Sequence, residues 1–123
     1  MKKIIWILSC IVLLAFFASV ASAETAVQTD GRYIYTVSET QGAAIKRCMQ
    51  LEAELTVPET LGSVPVTSIE TGAFRGNEGL ESIAFPQTLT RIGDHAFYGC
   101  SKLETVVLPE SLQTIGEAAF AYC

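Results

Sequence analysis

From Ile69 onward the apolar residues return at a fixed step. Ile69, Ile92 and Ile115 lie 23 residues apart, as do Ala73, Ala96 and Ala119, and Phe74, Phe97 and Phe120. Asn77, Cys100 and Cys123 share a fourth register. Between the two fuller copies, Leu80 matches Leu103, Ile83 matches Val106, Phe85 matches Leu108, Pro86 matches Pro109 and Leu89 matches Leu112. Residues 69–91 and 92–114 are identical at 8 of 23 positions. Chance would give about one or two, so the period is a true internal repeat. Within each copy, "LESIAFP" and "LETVVLP" carry large apolar residues at their first, fourth and sixth positions. The last two alternate as in a strand, and the proline ends it, because proline cannot donate to a ladder. "QTLTRI" and "ESLQTI" then bring two more inward residues, and "GDHAFYGC" packs an Ala-Phe pair before turning at Gly99. One such coil cannot bury its own Leu, Ile and Phe. Coils stacked along an axis can, each covering its neighbour with like residues. The expected fold is a β-rich solenoid of about three coils.

The chain before Ile69 departs from this pattern in stages. Gly31–Val37 ("GRYIYTV") alternates like a strand rich in β-formers, Ser38–Gly42 is turn-like, and "AAIKRC" can return as a second strand. Residues 31–52 are expected to form a β-hairpin cap over the first coil, after a disordered lead at 24–30. "AELTVPETL" re-enters the repeat register with Leu55, Val57 and Pro58. Pro58 to Ile69 is 11 residues, against 6 from Pro86 to Ile92. The extra residues are expected to enlarge the first turn around "GSVPV". At the other end the chain stops after "AFAYC", where the next strand phrase is due. The last coil is therefore expected to be incomplete, with an apolar open end.

The first 23 residues belong to a different pattern. "MKK" is basic, Ile4–Val20 is an uncharged apolar run, and "ASA" at 21–23 is a small-residue cleavage site. Together they predict a helical secretory signal peptide cleaved after Ala23. The run is also just long enough to serve as an uncleaved anchor. "ILSC" at 7–10 faintly resembles a lipidation box, although most of the apolar run follows Cys10.

These phrases resemble the BspA-like leucine-rich repeats of bacterial surface proteins, whose pattern is roughly L-x-x-I-x-L-P-x-S-L-x-x-I-G-x-x-A-F-x-x-C. "LETVVLPESLQTIGEAAFAYC" (103–123) fits it at nearly every fixed position, and "VPETLGSVPVTSIETGAF" (57–74) looks like the family's entry coil. One departure is Glu70, which stands where Gly93 and Gly116 stand in later coils. The resemblance implies a leucine-rich-repeat fold on a secreted or surface-displayed protein. It implies a binding role, often adhesion to host extracellular proteins or neighbouring cells. The fold alone does not choose among ligands.

Charge and composition narrow this further. The chain has 8 Lys and Arg against 13 Asp and Glu, a formal net charge of −5. Cleavage removes Lys2 and Lys3 and leaves −7 on 100 residues, one small domain. An acidic exported domain repels phosphate backbones and anionic bilayers. No nucleic-acid partner is expected, and membrane contact only through the leader. Cys48, Cys100 and Cys123 remain after cleavage, an odd number with no C-x-x-C pair, so neither a full disulfide framework nor a zinc site is expected.

Asn77, Cys100 and Cys123 sit where a small polar side chain can satisfy loop backbone groups. A Cys100–Cys123 disulfide between adjacent coils is the alternative. His95 is the lone histidine, opposite Gly72 and Ala118, with no nucleophile signature to serve. Glu52, Glu54, Glu81 and Glu104 read as solvated carboxylates. No cofactor, catalytic or metal-binding motif occurs, and no enzymatic activity is expected. The remaining surface is the solenoid's strand face. Glu54, Thr56, Ser82, Ala84, Thr105 and Val107 alternate with inward residues and are expected outward on the concave side, suited to broad contact with an extracellular protein ligand. Self-association through the open end is expected as well. A truncated, non-catalytic structural remnant of a larger surface protein is the alternative reading.

Overall fold

The computed structural model describes residues 26–50 and 52–123; the signal peptide expected at 1–23 lies outside the described residues. Two ladders run along the axis of a β-solenoid. The first joins β4 (Glu54–Thr56), β7 (Ser82–Ala84) and β9 (Thr105–Val107), all parallel. Glu54 pairs with Ser82 and Ser82 with Thr105, so one full repeat separates the last two partners. The second passes through β3 (Gly42–Cys48), β6 (Val64–Ile69), β8 (Arg91–Ile92) and β10 (Thr114–Ile115), again parallel. No helix occurs among the described residues.

Between the ladders lies the core that the repeat predicts. Leu55, Leu80, Ile83, Leu89, Ile92 and Phe97 are buried, as are Ile69 and Phe74. The phenylalanines form a column. Phe74 and Phe97 stack with ring centroids 4.8 Å apart, and Phe97 and Phe120 at 5.1 Å with planes 3° apart. Phe85 meets Phe97 edge-on at 5.7 Å.

A third set of inter-coil bonds runs through the turns. Gly72, Phe74 and Gly76 donate their N–H groups to the carbonyls of Asp94, Ala96 and Tyr98, and His95, Phe97 and Gly99 donate to Glu117, Ala119 and Ala121. This geometry places two left-handed residues in each turn. Gly72, His95 and Ala118 share one such position; Gly76, Gly99 and Tyr122 share the other. Glycine adopts that conformation freely, whereas His95, Ala118 and Tyr122 hold it against their own Cβ atoms.

At the start of the chain, β2 (Tyr33–Ser38) and β3 form the antiparallel hairpin, and β3 also pairs in parallel with β6. One strand thus serves both the hairpin and the ladder. The disordered lead expected at 24–30 is corrected in part. Val27–Thr29 is a strand, β1, paired antiparallel with β2 through Val27 and Thr36, Gln28 and Tyr35, and Thr29 and Ile34. Its residues are all exposed, so pairing rather than burial holds it there. The enlarged first turn is a small hairpin between β5 (Thr60–Leu61) and β6. Gly62 and Ser63 both have positive φ, the two-residue turn whose twist matches flanking strands.

A candidate protein-contact face

The β4–β7–β9 ladder carries the six residues singled out for binding. Leu55 and Ile83 point into the core, and Val106 is half-buried beside them. The alternate positions therefore form the other face, in two rows set by the register. One row is Glu54, Ser82 and Thr105; the other is Thr56, Ala84 and Val107. Ser82 and Ala84, on the central strand, are half-buried, and the four flanking residues are exposed. The backbone beneath is held by the ladder and by shared acceptors. Ala53 O receives the N–H groups of Glu81 and Ser82, and Glu81 O those of Glu104 and Thr105. The face is a plane of small side chains, with hydroxyls to donate and accept, Val107 as an apolar contact and Glu54 as an exposed carboxylate, while Glu81 and Glu104 are exposed just before β7 and β9.

The structural positions lie elsewhere, inside the turns. The three thiols are free. Cys100 Sγ donates to Phe74 O at 3.2 Å, and Cys123 Sγ to Phe97 O at 3.3 Å. Each thiol satisfies the coil before it, so the two stack in sequence rather than bridge. Asn77 fills the same place in the first turn, where its Oδ1 accepts the Gly79 N–H at 3.3 Å. Burial pushes the Cys100 thiol up to about 11, and burial also raises Cys123 and Cys48. Protonated thiols are hydrogen-bond donors and poor nucleophiles, in keeping with a structural role.

His95 lies in a turn with its ring centroid 5.4 Å from that of Tyr98. Among the four carboxylates weighed from the sequence, Glu52 pairs with Arg32 at 2.9 Å. Among the described residues no group of three or more His, Cys, Asp and Glu side chains could hold a metal ion. Glu70, the departure from glycine, fits because β3 lies beneath it: Glu70 N donates to Ile45 O at 2.8 Å, and β3 runs on to Cys48 instead of turning.

Parallel ladders, a phenylalanine column and inward Asn or Cys caps at a step of 23 residues define a leucine-rich-repeat solenoid. The chain belongs to the BspA type leucine rich repeat family: the description of that region, given for 6 copies, matches residues 41–123. Among solved structures it is similar to the leucine-rich repeat protein of T. pallidum, with 29% identity and a TM-score of 0.73 over 80% of this chain and 46% of that one. It is also similar to a leucine-rich cell surface protein from Faecalibacterium prausnitzii, with 30% identity and a TM-score of 0.70 over 81% of this chain and 29% of that one. A leucine-rich repeat protein from Bacteroides capillosus gives 28% identity and a TM-score of 0.67, over 79% and 75% of the two chains. The chain thus spans less than half the length of the first two. No curated protein matches it.

Proposed function

We propose that the protein is a secreted or surface-displayed adhesion module that binds an extracellular protein through the outer face of the β4–β7–β9 ladder. The observation that carries this is the pair of in-register rows, Glu54–Ser82–Thr105 and Thr56–Ala84–Val107, on a backbone whose hydrogen bonds are already made. Such a face meets a partner without the cost of ordering loops. The leader "MKK…ASA" and the surface location of the Faecalibacterium relative support the compartment. The test is adherence of cells expressing the full chain to immobilised extracellular matrix. Ala84→Arg, at the centre of the face, should reduce adherence about tenfold, as loss of a central contact does. Gln28→Arg, on the exposed strand β1, should not. Equal adherence by both variants, or none by the wild type, refutes the assignment.

The same reading includes self-association. Val107, Leu108, Ile115 and Tyr122 are exposed, Ile115 by 49%; Phe85, which holds the place of Leu108 one coil earlier, is 7% exposed. Exposed apolar residues beside β9 and β10 invite pairing with a second chain. Light scattering across a concentration series should show dimers that Ile115→Lys converts to monomers. A wild type that stays monomeric throughout excludes it.

A further inference from the structure

A β-bulge gives the hairpin a feature that its sequence pattern hides. Ile34 lies opposite Arg47 and Tyr35 opposite Ile45, which leaves Lys46 without a cross-strand partner. Neighbouring residues of a strand normally face opposite ways, but here Lys46 and Arg47 are both exposed. The first turn of the solenoid bonds upward, from Gly72, Phe74 and Gly76 to the next coil. Between its lower side and the end of β3 lies a groove of about 930 Å³.

Among the described residues, the charged ones lining that groove are Lys46, Arg47 and Arg75, with no carboxylate. After residue 23 the chain has six Lys and Arg in all, so half of them gather here in an otherwise acidic domain. The ion pairs among the described residues are Arg32–Glu52 and Arg91–Glu70, and neither engages this trio. Arg75 is held in place by stacking, its guanidinium carbon 5.1 Å from the centre of the Tyr98 ring. Met49, 58% exposed, adds a flexible apolar side chain to the same lining.

We propose that this groove, separate from the ladder face, docks an acidic peptide segment of a protein partner that also carries apolar side chains. Two guanidinium forks and an ammonium suit carboxylates, to which arginine can bond in bidentate fashion. The Met49 thioether adapts its shape to an apolar side chain. A sulfated glycan or a phosphate headgroup would meet the charges but leave Met49 without a partner. An extended polyanion or an anionic bilayer would also meet the negative field of the rest of the domain. A short segment avoids that field, because at physiological salt a charge is felt over only about 8 Å.

The experiment is fluorescence anisotropy with the full chain and a short labelled peptide of glutamates with leucine at every third position. Saturable binding is expected at physiological ionic strength. It should weaken at least about tenfold in Lys46→Glu/Arg47→Glu, and weaken again when the peptide's leucines become serines. Lys102→Glu, the same charge change elsewhere, should bind as wild type, and so should Ala84→Arg, since the groove does not depend on the ladder face. Thermal melting checks that the double variant is folded, and Arg75→Gln is the second variant if it is not. Absence of peptide binding overturns the proposal. So does equal weakening by Lys102→Glu, loss in Ala84→Arg, or tighter binding of a heparin oligosaccharide or of phosphatidylserine vesicles than of the peptide.

Discussion

Phe97→Ala should lower the unfolding free energy by about 3–5 kcal/mol, the range for a buried phenylalanine truncated to alanine. The ring is fully buried and touches aromatic neighbours on three sides: Phe74 below at 4.8 Å, Phe120 above at 5.1 Å and Phe85 edge-on at 5.7 Å. Removing it leaves a cavity that stacked coils cannot close, because their spacing is set by three sets of inter-coil hydrogen bonds. The loss approaches the whole stability of a small domain, so a mostly unfolded variant at ambient temperature would fit the expectation. Phe120→Ala should cost less, since that residue is only half-buried. Chemical denaturation of both variants checks the order. A loss below about 1 kcal/mol for Phe97→Ala would mean that the column contributes little beyond its share of area.

That column was legible because three identical residues at a constant step leave no other arrangement in which each is covered. The two outward rows of the β4–β7–β9 ladder were legible for a related reason: in "LESIAFP" and "LETVVLP" the inward residues define the outward ones. Other features left weaker marks. β5, β8 and β10 have two residues each, too few to show a period of two; β8 and β10 exist because the coil beneath supplies their partners, and β5 because the Gly62–Ser63 turn folds it against β6. β1 is wholly exposed, so its hydrophobic pattern is silent and only its pairing with β2 makes it a strand. The left-handed turn positions announce themselves as glycine at 72, 76 and 99. At His95, Ala118 and Tyr122 the residue type conceals them, and the bonds between coils impose the conformation. The basic groove was missed because it joins a bulge at Lys46 to Arg75, residues distant in sequence and out of repeat register.

Gly93→Ala should cost about 2–3 kcal/mol, although it adds a single methyl group, because overpacking against atoms that cannot yield is expensive. The backbone at Gly93 is not left-handed, so any residue could adopt it. What forbids a side chain is space. A Cβ there would stand 2.7 Å from Thr71 N, 2.8 Å from the Glu70 carbonyl carbon and 3.0 Å from Ile69 O. All three are backbone atoms of the preceding coil, so no rotamer change relieves the contact and the coils must separate. Separation would stretch the Gly93 N to Ile69 O bond, now 2.8 Å, and the Gly72 N to Asp94 O bond beside it, now 3.0 Å. Gly99→Ala is the matched comparison. There φ is +74°, yet the nearest atom to an added Cβ is Gly76 Cα at 3.9 Å, so the cost is conformational alone, about 1 kcal/mol. The same substitution six residues apart thus separates crowding from backbone strain. If Gly99→Ala proves the more damaging of the two, close approach between coils is not what reserves position 93 for glycine.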